Sequence, residues 1–159
     1  MIASFQPDSP GSSPDKAVSS PARAGRAYFG RRYLVSASHR LHTDALPAEE
    51  NRAVYGKCNN LHGHGHNYMV EVLVRGVVDP ETGMVVNLAV LDERVRARVV
   101  ERFDRANLNL DPLFANCVPT TENLCRVIFG LLKDALPVGE LEHVRVEETE
   151  NNFFEFCGE

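Results

Sequence analysis

Between Tyr68 and Arg75 the chain alternates. Tyr68, Val70, Val72 and Val74 fall on one side, and Met69, Glu71, Leu73 and Arg75 on the other. A period of two predicts a half-buried strand. Tyr33 to Leu41 repeats the pattern, with Tyr33, Val35, Ala37 and His39 sharing a face. Asp79-Pro80-Glu81-Thr82-Gly83 reads as a turn, because proline fixes one dihedral and glycine accepts a positive one. Met84 to Asn87 is expected to continue as strand, making a hairpin with the segment before it. The segment from Thr43 to Tyr55 is expected as a loop with at most one helical turn.

From Leu88 the period lengthens. Leu88, Leu91, Val95, Val99 and Phe103 mark one stripe of an amphipathic helix. A second helix is expected after Pro119, capped by Thr120 or Thr121, with Glu122 in its first turn. Its buried face is Leu124, Ile128, Leu131, Leu132 and Ala135, and Pro137 and Gly139 stop it. Leu141 to Thr149 and Phe153 to Phe156 complete the pattern as strands. Two strands, two helices and two strands predict an α+β fold: a four-stranded antiparallel sheet with both helices on one face. A sheet of that size has open edges, so pairing between subunits is expected.

Composition narrows the class. The chain has 159 residues, enough for one domain, with 43% apolar and 25% charged residues. A net charge of −5 without a basic run argues against a general nucleic-acid binder. No apolar run approaches membrane-spanning length, and the N-terminus lacks the apolar core of a secretory signal. Residues 1–27, rich in Ser, Pro, Ala and Gly, are expected to be a disordered tail, leaving 28–159 as the domain. Arg23 and Arg26 hint at a transit peptide, but Asp8 and Asp15 oppose it. Cys58, Cys117, Cys125 and Cys157 are expected as reduced thiols in a cytoplasmic protein. Only Cys58 suggests chemistry. The other three, and His143, read as core or surface.

The chemistry concentrates in Lys57-Cys58-Asn59-Asn60-Leu61-His62-Gly63-His64-Gly65-His66. Extending the strand period backwards puts His64 and His66 on one face. Two neighbouring imidazoles can share a divalent cation, and imidazole nitrogen suits zinc at about 2.0–2.1 Å. His39, on the other strand, is the candidate third ligand.

Six segments together resemble the 6-pyruvoyl-tetrahydropterin synthases of the tunnelling fold. They are Ser36-Ala37-Ser38-His39-Arg40-Leu41, Gly56-Lys57-Cys58-Asn59-Asn60, His64-Gly65-His66-Asn67-Tyr68, Asp79-Pro80-x-Thr82-Gly83-Met84-Val85, Thr120-Thr121-Glu122-Asn123 and Glu148-Thr149-x-Asn151-Asn152. The resemblance implies conversion of 7,8-dihydroneopterin triphosphate to 6-pyruvoyl-tetrahydropterin with release of triphosphate. It implies zinc held by His39, His64 and His66, Cys58 as the proton-transferring thiol, and Glu148 anchoring the pterin. Thr120, Thr121 and Glu122 fall where the pocket is completed. Trimers stacked into hexamers, closing a β-barrel with sites between subunits, are implied as well.

The chain departs from that family at three places. Asp104 and Arg105 stand where the synthases carry a relaying Asp-His pair, and arginine does not exchange protons near neutral pH. Val90 replaces a usual acidic residue. His62 opens a second register, since His62-Gly63-His64 has the spacing after Cys58 of the related 6-carboxy-tetrahydropterin synthases. That enzyme, an aldolase-like dihydroneopterin lyase and a weakly active zinc- and pterin-binding protein are therefore the rival functions. Asn67-Tyr68 favours His64 and His66 as ligands. On that register His64→Ala loses the metal and His62→Ala keeps it; metal analysis giving the reverse would make the His62 register the right one.

Overall fold

The computed structural model describes residues 25–136 and 140–158. Most of the expected tail, and the expected helix stop at Pro137 and Gly139, lie outside the described residues. Strand β1 (Arg26–His39) pairs antiparallel with β2 (His64–Val77) along its whole length, from Arg26 opposite Val77 to His39 opposite His64. β1 thus starts seven residues before the alternation at Tyr33 announces it. Helix α1 (Ala48–Tyr55) and a tight turn over Gly56–Asn59 connect the two strands. The segment expected as a loop is therefore a two-turn helix.

The expected hairpin after β2 is absent. Asp79 closes the turn on itself: its amide donates to the Met84 carbonyl at 2.9 Å, and its carboxylate takes the Thr82 amide at 2.8 Å. Asn87 then caps the next helix immediately, accepting from the Ala89 and Val90 amides. Val86 turns into the core without joining a strand. That helix runs as α2 (Leu88–Val95), a wider turn (Arg96–Val100) and α3 (Glu101–Phe103). The widening has a cause in the sequence. Leu91, Val95, Val99 and Phe103 recur every four residues, whereas an α-helix turns in 3.6. A turn of i→i+5 type takes up the drift and keeps all four fully buried. Leu88, expected on the stripe, stays partly exposed.

After Phe103 comes β3 (Ala106–Asn107), parallel to β1 at Ala37 and Ser38. Among the described residues the expected four-stranded antiparallel sheet is thus five-stranded with one short parallel edge. Helix α4 (Thr121–Lys133) follows, its Thr120 cap accepting from the Asn123 amide, and β4 (Glu140–Thr149) and β5 (Asn152–Phe156) finish the sheet in the order β3-β1-β2-β4-β5. The α4 face that is buried holds Leu124, Cys125, Ile128, Phe129 and Leu132; Leu131 and Ala135 are only half-buried.

Helices α2 and α4 lie on one face of the sheet, an α+β arrangement. Val35, Val70, Val72, Val74, Val144 and Val146 present that face to Leu91, Val95, Leu124 and Ile128. The other face is polar, with Arg32 donating to Glu71 at 2.7 Å. Helix α2 is also fixed to β1 by Asp92, which accepts from Arg31 and from the Tyr33 hydroxyl.

The link towards Cys58 depends on one buried amide. Asn51 is fully buried; its Oδ1 accepts from the Thr43 amide, and its Nδ2 donates to the Thr43 and Leu46 carbonyls at 2.8 Å each. Removing it orphans these groups at about 1–3 kcal/mol for a buried unsatisfied partner. Asn51→Ala should lower unfolding free energy by about 2 kcal/mol or more in denaturant titration; a change under about 0.5 kcal/mol, the level of an ordinary surface substitution, would contradict this.

Candidate metal centre and active site

The β1–β2 pairing builds the centre. His39 lies opposite His64 and Ala37 opposite His66, so the three imidazoles share the helix-covered face. Gly63 makes the sharp entry to β2. Its φ is +69°, and a Cβ there would stand 2.6 Å from the His39 carbonyl oxygen. Only glycine lets the turn close against β1.

The ligand atoms of His39, His64 and His66 all lie within 4.8 Å of one another. His39 Nε2 and His64 Nε2 are 3.2 Å apart. Two nitrogens bound tetrahedrally to one ion at about 2.1 Å stand roughly 3.4 Å apart, so this spacing suits a shared cation. His39 is buried, and its Nδ1 donates to the Pro119 carbonyl at 2.8 Å, with the Tyr68 hydroxyl 3.2 Å away. That bond fixes the tautomer and turns the Nε2 lone pair into the cluster. His66 Nε2 is buried without a hydrogen-bond partner among the described residues. Such an orphaned nitrogen is the mark of a ligand position.

Glu148 closes the other side. Its Oε1 is 3.5 Å from His66 Nε2 and 3.7 Å from His39 Nε2. Thr121 Oγ1 donates to Oε1 at 2.7 Å and Asn152 Nδ2 to Oε2 at 2.8 Å, which fixes the carboxylate plane. Burial pushes the Glu148 carboxyl up, but these two bonds and the facing imidazoles bring it below the ordinary carboxylate value. Cys58 is half-buried, its carbonyl taking the Leu41 amide at 2.8 Å. Burial pushes its thiol up, and the Glu148 charge adds to the rise.

The remaining candidates are more scattered. Thr120 caps α4, Thr121 holds Glu148, and Glu122 is exposed on the first turn. His62 lies exposed in the turn before β2, outside the histidine cluster. Asp104 accepts from the Ser36 amide at 2.9 Å and faces Arg105 at 3.6 Å. Arg105 is left-handed at φ 59°, largely exposed, and lines a cavity with Ser36, Ser38, His66 and Asn67. Within one subunit no hydrogen bond or ion pair among the described residues joins the Asp104–Arg105 pair to Cys58. Sequence reasoning passed over Tyr68, Asn152 and the Pro119 carbonyl as parts of the centre. Tyr68 carried a signal, being two residues from His66 on the same face.

Comparison with known proteins decides the family. A family profile described as 6-pyruvoyl tetrahydropterin synthase matches residues 30–159. The chain belongs to the 6-pyruvoyl tetrahydropterin synthase family. It is 48% identical over 138 residues to the 6-pyruvoyl tetrahydrobiopterin synthase of Homo sapiens, covering 86% of this chain and 95% of that one. The Drosophila melanogaster synthase is 45% identical over 134 residues, 83% of this chain and 80% of that one. The structure of the Caenorhabditis elegans synthase superposes with a TM-score of 0.81 at 40% identity, covering 86% of this chain and 99% of that one. The chain is thus an enzyme of a lyase family, and the histidine cluster marks a Zn2+ protein. No helix among the described residues is long and apolar enough to cross a membrane.

Burial pushes the His39 and His66 imidazoles below their ordinary value of 6.5, against the Pro119 carbonyl and the Glu148 charge respectively. As pH falls through 6.5 the unfolded chain therefore takes up protons first, and the folded state loses stability. Glu148, titrating below its ordinary value, adds its loss only at lower pH. In chelator the melting temperature should fall between pH 7 and pH 5, and less steeply for His66→Gln. A flat profile, or an equal slope in the variant, would contradict the buried-imidazole account.

Proposed function

We propose that the protein is a zinc-dependent 6-pyruvoyl-tetrahydropterin synthase, converting 7,8-dihydroneopterin triphosphate to 6-pyruvoyl-tetrahydropterin and inorganic triphosphate. The observation that carries this reading is the convergence of three imidazoles and one clamped carboxylate on a single sheet face, in a chain of this family. His39, His64 and His66 would hold the zinc, which would supply Lewis-acid chemistry to a bound side chain.

Glu148 orients the pterin. Each carboxylate oxygen already accepts one bond, from Thr121 or Asn152, and keeps a lone pair for the ring's N–H groups. Thr120 and Glu122, at the start of α4, complete that end of the pocket. Cys58 takes a carbon-bound proton as thiolate: the C–H bond breaks and the S–H bond forms, the freed electron pair becomes a carbon–carbon double bond, and triphosphate departs from the neighbouring carbon with the electron pair of its C–O bond. Its raised thiol keeps the sulfur protonated until a cation's charge stands nearby.

The catalytic domain takes in the expected residues 28–159 together with Arg26 and Ala27, which already pair in β1. β1 from Arg26 to Ser36 has a strand partner on one side only, and β5 has none on its outer side, among the described residues. These open edges support closure of several sheets into a barrel, as trimers stacked into a hexamer with sites between subunits. Asp104 and Arg105 then serve a site they share with a neighbouring subunit. All four cysteines are free, which suits a cytoplasmic setting.

Arg105 supports a second reading, a slow enzyme. Its guanidinium stabilises an anion but relays no proton. Mass analysis of products from zinc-loaded protein decides between the readings. Triphosphate and a pyruvoyl pterin are expected. A two-carbon fragment would point to a lyase of the aldolase type, and no turnover to a binding protein. Cys58→Ala should keep zinc while turnover falls about 10²–10⁴-fold, the usual worth of an acid–base group. Arg105→His should raise turnover by part of that factor; an unchanged rate would remove the relay from the account.

A further inference from the structure

Where β1 ends, the chain passes helix α1 and the turn before β2, and these three enclose a cleft of ≈ 420 Å³. Arg40, His42, Arg52 and Lys57 are on its walls. A second cavity of ≈ 280 Å³ shares Arg40, His42 and Leu61 with it and reaches His39 and His62. The cleft is thus a cationic basin adjoining the metal centre.

Its cations lack carboxylate partners. Elsewhere several arginines are paired, Arg31 with Asp92, Arg32 with Glu71, Arg102 with Asp111 and Arg145 with Glu147, whereas Arg94, Arg96, Arg98 and Arg126 stand singly at the surface and do not gather around one cleft. Among the described residues no carboxylate stands within 4.0 Å of Arg40, Arg52 or Lys57. Asp44 faces His42 at 3.5 Å, but its side chain is fully exposed and free to turn away.

The basin is also held rigid. Asn109 clasps the Arg40 backbone on both sides, accepting from its amide at 2.7 Å and donating to its carbonyl at 2.8 Å. The Arg40 Nε donates to the Asn59 carbonyl at 3.3 Å. Asn59 Nδ2 donates to the Leu41 carbonyl at 2.7 Å and lies 3.0 Å from His42 Nδ1. With Nδ1 facing these donors, the His42 Nε2 carries its hydrogen outward, ready to donate. Fixed donors around unpaired charge are what a polyanion requires.

Position in the sheet says which polyanion. Across the strand order, Glu148 lies on β4, His64 and His66 on β2, His39 and then Arg40 at the end of β1, and Asn107 on β3. The metal centre therefore stands between the carboxylate and the basin. A ligand with a ring at Glu148 and an oxygen-bearing chain across the histidines runs along that order towards the end of β1, where Arg40 follows His39. We propose that Arg40, His42, Arg52 and Lys57 form the subsite for the substrate's triphosphate, steering it in and stabilising the charge it carries as it leaves. The assignment rests on the functional reading above, but its chemistry is recognition of a linear polyphosphate.

Inorganic triphosphate is the probe. Arg52 and Lys57 are exposed side chains, so the double variant Arg52→Gln, Lys57→Gln should fold and keep its zinc. By titration calorimetry the zinc-loaded protein should bind inorganic triphosphate, and the double variant should weaken it about tenfold or more, the worth of one charge-assisted bond. KM for dihydroneopterin triphosphate should rise in parallel, while binding of unphosphorylated neopterin stays unchanged. Arg52→Glu alone should weaken triphosphate similarly. Equal binding by parent and variants, or none by the parent, would overturn the subsite. If triphosphate binds at these residues and the substrate is not turned over, the subsite stands and the synthase reading falls.

Discussion

The register between β1 and β2 is the constraint on which the centre depends. Fourteen residues of each strand pair without a bulge, and the pairing ends with His39 opposite His64. A slip of one residue would turn His64 and His66 to the polar face while His39 stayed on the helical one. The slip is opposed along the whole ladder, because Val70, Val72 and Val74 would leave the core with them. Each buried valine contributes about 1.5–3 kcal/mol relative to exposure, so the three together outweigh a single hydrogen bond at the centre. The hydrophobic pattern thus specifies the metal geometry at a distance from the metal.

Glu148 shows a second balance. Burial alone would favour its neutral form, yet Thr121 and Asn152 donate to it and two imidazoles face it. The hydrogen bonds win, and the carboxyl titrates low. One helix start and one strand turn supply the two donors, so α4 and the β4–β5 connection jointly set the carboxylate plane. A carboxylate fixed in this way can read the edge of a ring. Cys58 meets the opposite balance, with burial and a negative neighbour both favouring the thiol.

Much of this was legible in the sequence, for physical reasons that also mark where reading stopped. Alternation is all a strand needs, so His39, His64 and His66 fell on one face without knowledge of the fold. β3 was invisible because two residues carry no period. Met84 to Val86 looked like strand because it is apolar, but the Asp79 turn and the Asn87 cap leave it no room to pair. The two-turn α1 was hidden by a polar surface; what organises it is Asn51, one side chain making four bonds to Thr43, Leu46 and Pro47. Arg105 takes a left-handed backbone that no periodicity signals. The basin at Arg40 joins residues from three segments and exists only once β1, α1 and the His62 turn converge.

The account's central claim is that three histidines on one face bind zinc while Cys58 stays off it. X-ray absorption at the zinc edge tests this directly. The account predicts a shell of nitrogen and oxygen only, with three imidazoles at about 2.0–2.1 Å and their outer-ring scattering. A sulfur scatterer at about 2.3 Å would make Cys58 a ligand, and fewer than three imidazoles would remove one histidine from the centre; either result would contradict the account.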